Sequence, residues 1–403
     1  MSKSVSYALT ILATVFLVAL IAGGYYLGNK FAFKDVGKVT RNINMPVTLH
    51  FAMHRHDADK IDDPAIADMY ASLYELEKPT REKIETTLQN VVWEPALTPE
   101  PFVGHKLKKD QQGLMQANIH GFRDGRDDLS VKPEDVVRIF ITGGSVAFGA
   151  GAKSDADTIS AYFEKMLNDE VAPKTGYRYQ VINTGIPAWA TTQERILIEN
   201  KLVDLKPDVI LMFSGNNDVH WALIETEDPA NFWSYYDRNF VLLVNNTNQK
   251  LGYGPAVADF SLQNDRPSCG RVAEVAKRNV SLAAHVTEMS GAKLIFALQP
   301  NIFTSGKILT AAEQKLVQRY RDGAKKEKPI WLECYQDLRD ELGAIDQGNY
   351  EFRDFSTAFS HMKDDREVFL DAYHFANLGN REIAKAFLKQ IDWSILTPAA
   401  GMK

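Results

Sequence analysis

Four short runs of the chain, residues 136–142, 179–183, 209–214 and 293–298, are rich in β-branched and other apolar residues and are bounded by turn formers. Between them lie stretches with helical periodicity at 158–168, 192–205 and 271–290, the last stopped by Gly291. Strands that alternate with helices pair in parallel, because a parallel neighbour needs a crossover long enough to hold a helix. Runs that are near-continuously apolar, without period-two alternation, need cover on both faces. The expected fold is therefore α/β: a three-layer α/β/α sandwich around a central parallel sheet.

Residues 5–27 carry no charge and match the roughly 20 residues a helix needs to cross a bilayer. They read as one N-terminal transmembrane helix, with Tyr25 and Tyr26 at headgroup level. A cleaved signal peptide is the other reading, with Lys3 as its basic start and Ala22-Gly23-Gly24 as its cleavage site. Lys30, Lys34, Lys38 and Arg41 would keep the large domain inside under the positive-inside rule, whereas the very short N-terminal tail resembles signal-anchors that export the remainder. The expected placement is a single-pass membrane protein with its large domain periplasmic or otherwise extracytoplasmic.

The expected organisation is an anchor at 1–29, an accessory arm or linker at 30–130, and the α/β domain at 131–395. The arm holds a helical-looking stretch, 65–90, and a Pro-rich link from Trp93 to Pro101. An aromatic insertion at about 219–267, with Trp221, Phe232, Trp233, Tyr235 and Tyr236, would either line a pocket or pack as a satellite cluster.

With 403 residues and 45% hydrophobic content, one large core is affordable in sequence terms. A net charge of -6 provides no basic field to neutralise phosphates, so no nucleic-acid partner is expected. Cys269 and Cys334 lack zinc-ligand spacing and are either two buried thiols or one disulfide. His50, His54 and His56, beside Asp57 and Asp59, lack a recognised metal spacing, so neither metal nor cofactor is expected. Gly149-Ala-Gly151-Ala-Lys153-Ser154 follows a strand but fails as a phosphate loop, because Ala152 and Ala147 stand where that loop needs glycine.

The chemistry gathers at strand ends. The first strand runs into Gly143-Gly144-Ser145, which puts a hydroxyl where open α/β sheets bind ligands. Two glycines there permit a tight turn, and the Ser145 amide can face a developing oxyanion. The second strand ends in Asn183-Thr184-Gly185 and the third in Ser214-Gly215-Asn216-Asn217-Asp218. Ser145, Gly185 and Asn217 would then supply three neutral donors to one oxyanion. Near the C-terminus, Asp371-Ala-Tyr-His374 places a carboxylate three residues before an imidazole, a spacing that lets one orient the other. His220, next to Asp218, is a candidate pocket-wall residue.

In order and spacing these four blocks resemble those of the SGNH (GDSL-like) hydrolase family, over residues 119–391. Gly121-Phe-Arg123 and Leu298-Gln-Pro300 are similar to features of its bacterial members. The resemblance implies Ser145 as nucleophile, His374 as general base, Asp371 as its orienter, and acyl transfer through an acyl-enzyme. Gly144 departs from the family's Gly-Asp-Ser pattern. The implied activity is a membrane-anchored serine esterase removing a small acyl group, such as acetyl, from a carbohydrate or lipid-linked substrate. An O-acyltransferase of surface polysaccharide and a non-catalytic membrane-tethered scaffold are the alternatives.

Overall fold

The computed structural model describes residues 64–77, 80–91, 95–109, 115–224, 249–252, 268–323 and 327–393. Among the described residues the first elements are helices α1 (Pro64–Tyr74) and α2 (Arg81–Asn90), where the sequence suggests a single helical stretch. The stretch is broken at Glu75, whose φ of 53° is left-handed, and restarts at Thr80, which caps α2 by accepting a bond from Lys83 N at 3.3 Å. An antiparallel hairpin follows, β1 (Leu97–Glu100) with β2 (Gly104–Leu107). It occupies much of the Pro-rich link.

Five parallel strands make the central sheet: β3 (Val136–Gly143), β4 (Arg178–Asn183), β5 (Val209–Ser214), β6 (Lys293–Leu298) and β7 (Tyr350–Asp354). Their spatial order is β4-β3-β5-β6-β7. The helices that flank the sheet are α3 (Ser145–Phe148), α4 (Ile159–Glu170), α5 (Thr191–Leu197), α6 (Asn216–Ile224), α7 (Cys269–Met289), α8 (Ala311–Gly323), α9 (Glu327–Gly343) and α10 (Asn377–Gln390). Every residue of β3 and β5 is buried, which accounts for their largely apolar sequences; the polar Arg138, Thr142 and Ser214 are hydrogen-bonded where they are buried.

From β3 the chain steps one way to β4, then crosses back over β3 to β5. Right-handed crossovers in opposite directions put α4 and α5 on opposite faces of the sheet. α4 packs with α10 through Phe163 and Phe387, whose ring centroids are 5.7 Å apart. α5, α7 and α9 form the other group. In α4 the buried residues Ile159, Phe163 and Leu167 recur every four positions, and full burial of each such side chain is worth about 1.5–3 kcal/mol. Beyond α5 the helix widens to a π turn, Ile198–Leu202, and closes with a 3₁₀ turn, Val203–Leu205, before the left-handed Lys206. The single helix expected at 192–205 is thus three local geometries.

Cys269 on α7 and Cys334 on α9 form a disulfide. Of the two readings open in the sequence, the paired one holds. Met115, Ala117, Phe122 and Leu129, which precede β3, join the core around the sheet. A second cluster seats Tyr70, Leu73, Tyr74, Ile84 and Val91 of the α1–α2 region against Leu370 and Ala376.

By its internal contacts the chain divides into one unit of Met1–Met53 with Asp237–Ala258, described only at 249–252, and another holding the remainder. Among the described residues no helix is long and apolar enough to cross a membrane; the stretch 5–27 lies outside them. So do His50, His54, His56, Phe232, Trp233, Tyr235 and Tyr236.

Candidate active site

The strand order reverses between β3 and β5, so the loops after those two strands diverge and leave a crevice at their carboxyl ends. Ser145 opens α3 directly after β3, and Asn217 lies in the first turn of α6 directly after β5. The loop 368–376 closes the crevice from the C-terminal side, with Leu370 N donating to His374 O at 2.9 Å.

His374 Nε2 lies 2.7 Å from Ser145 Oγ, and His374 Nδ1 lies 2.7 Å from Asp371 Oδ2. The other carboxylate oxygen, Oδ1, accepts the Tyr373 and His374 amides at 2.7 and 2.8 Å. Three hydrogen bonds thereby fix Asp371 and the imidazole relative to each other, in a loop where both residues are buried. Ser145 itself is partly exposed. A hydroxyl, an imidazole and a carboxylate in series can pass a proton from the hydroxyl to the ring while the carboxylate balances the ring's charge.

Asn217 Nδ2 donates one hydrogen to Trp189 O at 2.7 Å. Its amide comes so close to the turn before Ser145 that a Cβ on Gly144 would stand 2.3 Å from Nδ2. Gly185 is required for another reason: a Cβ there would lie 2.4 Å from Phe148 N. Its amide donates to Asn183 Oδ1 at 3.0 Å, so the hydrogen read from sequence as an oxyanion donor is engaged within its own loop. Asn183 Nδ2 in turn donates to Phe148 O at 3.1 Å, which pins the β4 loop to the end of α3.

The family model for GDSL-like lipases and acylhydrolases matches residues 139–387, more than half of the chain. The chain belongs to this family. The GDSL-like enzyme is accordingly a serine hydrolase of ester bonds. No curated protein is similar enough to count as a relative. Among solved structures it is similar to an acetyl xylan esterase, AlAXEase, at 14% identity over 63% of this chain and 100% of that one, with a TM-score of 0.38. It is also similar to Axe2, an acetylxylan esterase from Geobacillus stearothermophilus, at 18% identity over 65% and 97% of the two chains, TM-score 0.35. A third is LAE5, an α/β hydrolase from the metagenome of Lake Arreo, Spain, at 16% identity over 62% and 93%, TM-score 0.36.

Several supports of this GDSL-like site escape a reading of the sequence alone. Arg123, noted there only as part of Gly121-Phe-Arg123, donates from one guanidinium nitrogen to Phe148 O and Gly149 O at 3.2 and 3.0 Å, and so holds the carbonyl end of α3, the helix that Ser145 opens. Ile302 N, in the loop after Gln299-Pro300, donates to Ala372 O at 2.9 Å and fastens the loop between Asp371 and His374. Glu313 is wholly buried: Oε1 accepts the Val368 and Phe369 amides at 2.8 and 3.2 Å, while Oε2 takes Lys307 Nζ at 2.6 Å. Only the Thr310-Ala-Ala-Glu313 capping-box spacing signals it, and that signal reports a helix start rather than a buried clamp.

Two rings stand on α6, one turn beyond Asn217. Trp221 donates from Nε1 to Ala188 O at 3.1 Å, and His220 packs against Tyr373 at 5.4 Å between ring centroids. Facing them across the β4–α5 loop, His105 of the hairpin lies 3.0 Å through Nε2 from Pro187 O, and burial pushes its pKa below the usual histidine value. Among the described residues no group of three or more His, Cys, Asp or Glu side chains could hold a metal ion.

Proposed function

We propose that this hydrolase is a membrane-anchored esterase that releases a small acyl group, down to acetyl, from a carbohydrate or lipid-linked substrate. Ser145 is the nucleophile, His374 takes its proton, and Asp371 keeps Nδ1 protonated and the ring aimed. The Ser145 amide and the Asn217 side chain receive the oxyanion, while Gly185 serves by letting the β4 loop lie against α3. The acyl-enzyme then meets water, with His374 returning the proton.

The observation that carries this reading is the unbroken series Asp371–His374–Ser145, both links at 2.7 Å. The partly exposed Trp221 and His220, on the helix that carries Asn217, support a carbohydrate-bearing substrate, because sugar rings stack on aromatic side chains. The Cys269–Cys334 disulfide supports a periplasmic or extracytoplasmic location, since such bonds persist in oxidising compartments. The uncharged stretch 5–27 supports the anchor.

The test is mass spectrometry of the full-length protein after fluorophosphonate treatment, combined with hydrolysis of p-nitrophenyl acetate and of acetylated oligosaccharides. An adduct on Ser145, with activity lost in Ser145→Ala and His374→Ala, is expected. Activity undiminished in both variants would reject the assignment.

A further inference from the structure

Glu194, on α5, touches neither the nucleophile nor the imidazole, yet it joins the strands that carry both reactive turns. Its Oε2 accepts a hydrogen bond from Thr142 Oγ1 at 2.5 Å, and its Oε1 accepts one from Ser214 Oγ at 2.5 Å. Thr142 stands three residues before Ser145, and Ser214 three residues before Asn217. All three of Thr142, Glu194 and Ser214 are buried. The ladder between β3 and β5 ends at the pair Gly143 and Phe213, so the two turns project beyond the last backbone pairing that could register them.

We propose that Glu194 is a positioning residue: its ionised carboxylate, gripping Thr142 with one oxygen and Ser214 with the other, sets the nucleophile turn in register with the turn that carries Asn217. This inference rests on the roles proposed above for Ser145 and Asn217. An ionised carboxylate accepts from both hydroxyls at once. A protonated one carries a hydrogen on an oxygen that was accepting, so one of the two bonds must reverse, and the hydroxyl that then accepts has to turn its own hydrogen elsewhere in a buried site, which weakens that grip.

The surroundings make that exchange accessible near neutral pH. β3 and β5 present only the two hydroxyls. From α6, Asp218 faces α5 and accepts from Thr191 Oγ1 at 2.5 Å; its Oδ2 is buried although the residue is partly exposed. From α7 comes the neutral Asn279, which donates to Thr191 and Thr192. On α5 itself, the Arg195 guanidinium is turned to Asn279 and Glu199. Burial pushes the Glu194 carboxyl up to about 7; the hydroxyl bonds oppose the rise and Asp218 adds to it.

The experiment compares kcat and KM for p-nitrophenyl acetate in the full-length wild type, Glu194→Gln and Ser145→Ala across pH. At about pH 8.5 the Glu194→Gln variant is expected to lose about tenfold in kcat with KM within about twofold, and the gap is expected to close by about pH 5.5, where the wild type has lost the same charge. A wild-type to variant ratio that stays constant over the range, or a change confined to KM, overturns the proposal. If Ser145→Ala is as active as the wild type, the reading of the site fails; if it is inactive while the ratio stays flat, only the role of Glu194 fails. Should Glu194→Gln not fold, Ser214→Ala replaces it. Loss of one donor should lower kcat at alkaline pH and move the acid limb to higher pH, and an unmoved limb overturns the proposal.

Discussion

The Asn217 side chain occupies space that a side chain at residue 144 would need: a Cβ on Gly144 would stand 2.3 Å from Asn217 Nδ2. The glycine that departs from the Gly-Asp-Ser pattern is thereby the residue that admits the asparagine amide to the turn before Ser145. Gly144→Ala is expected to push Asn217 aside and to lower kcat by about 10²-fold with little change in KM. Asn217→Ala should lose on the order of 10²–10³, the usual cost of one oxyanion donor. Steady-state kinetics on p-nitrophenyl acetate check both, and a larger effect on KM than on kcat would point away from the oxyanion.

Asp371 holds the imidazole by Nδ1 with one oxygen and its own loop by two amides with the other. Asp371→Asn keeps the shape but can present an N–H to Nδ1, which favours the wrong tautomer. A fall in kcat on the order of 10⁴ is expected. The rate of Ser145 phosphonylation, read by mass spectrometry, should fall in parallel.

Lys307 and Glu313 form an ion pair with both side chains fully buried. Removing one partner strands the other, and Glu313→Leu is expected to cost about 3–5 kcal/mol in urea melts. Adding Lys307→Met should recover much of that stability. Activity should stay low in the double variant, because the Val368 and Phe369 amides still lack their acceptor.

Glu194 links the same region to stability. Its carboxyl is raised from 4.5 to about 7 in the fold, so its favourable contribution is complete below about pH 4.5 and lost as pH rises through about 7. Relative to the wild type, Glu194→Gln should therefore gain on the order of 3 kcal/mol between about pH 5 and 8. Chemical melts at the two pH values measure it. A difference independent of pH would mean that the carboxyl does not titrate in this window.

The strands that can be read from sequence are those covered on both faces. Val209–Ser214 and Lys293–Leu298 match the apolar runs residue for residue, because cover on both faces keeps their interiors apolar and leaves Ser214 and Lys293 at the strand ends. Tyr350–Asp354 escapes because it is an edge strand, where Glu351 pairs with Lys293 and Arg353 is exposed, and its sequence looks like a loop. The β1–β2 hairpin escapes because Pro99 and Pro101 read as a linker. Within the site, Ser145, Asp371, His374 and Asn217 are legible because each follows a strand or shares a short spacing. Glu194, Glu313 and Arg123 are not, since a charged residue in an amphipathic stretch reads as solvent-facing until the tertiary fold buries it. Gly185 differs in that its amide is engaged within its own loop. Asn183, two residues back, is placed to accept its amide, and an Asx-type contact of that spacing is visible in the sequence.

The wall behind the histidine loop is built by residues far upstream. Tyr70, Leu73 and Tyr74 pack with Leu370 and Ala376, Ser72 Oγ accepts the Glu367 amide at 3.0 Å, and Glu75 pairs with Arg381. Any soluble fragment cut for biochemistry must therefore start ahead of residue 64. A truncation at the family boundary near residue 139 would leave that loop facing solvent, and its inactivity would say nothing about the chemistry.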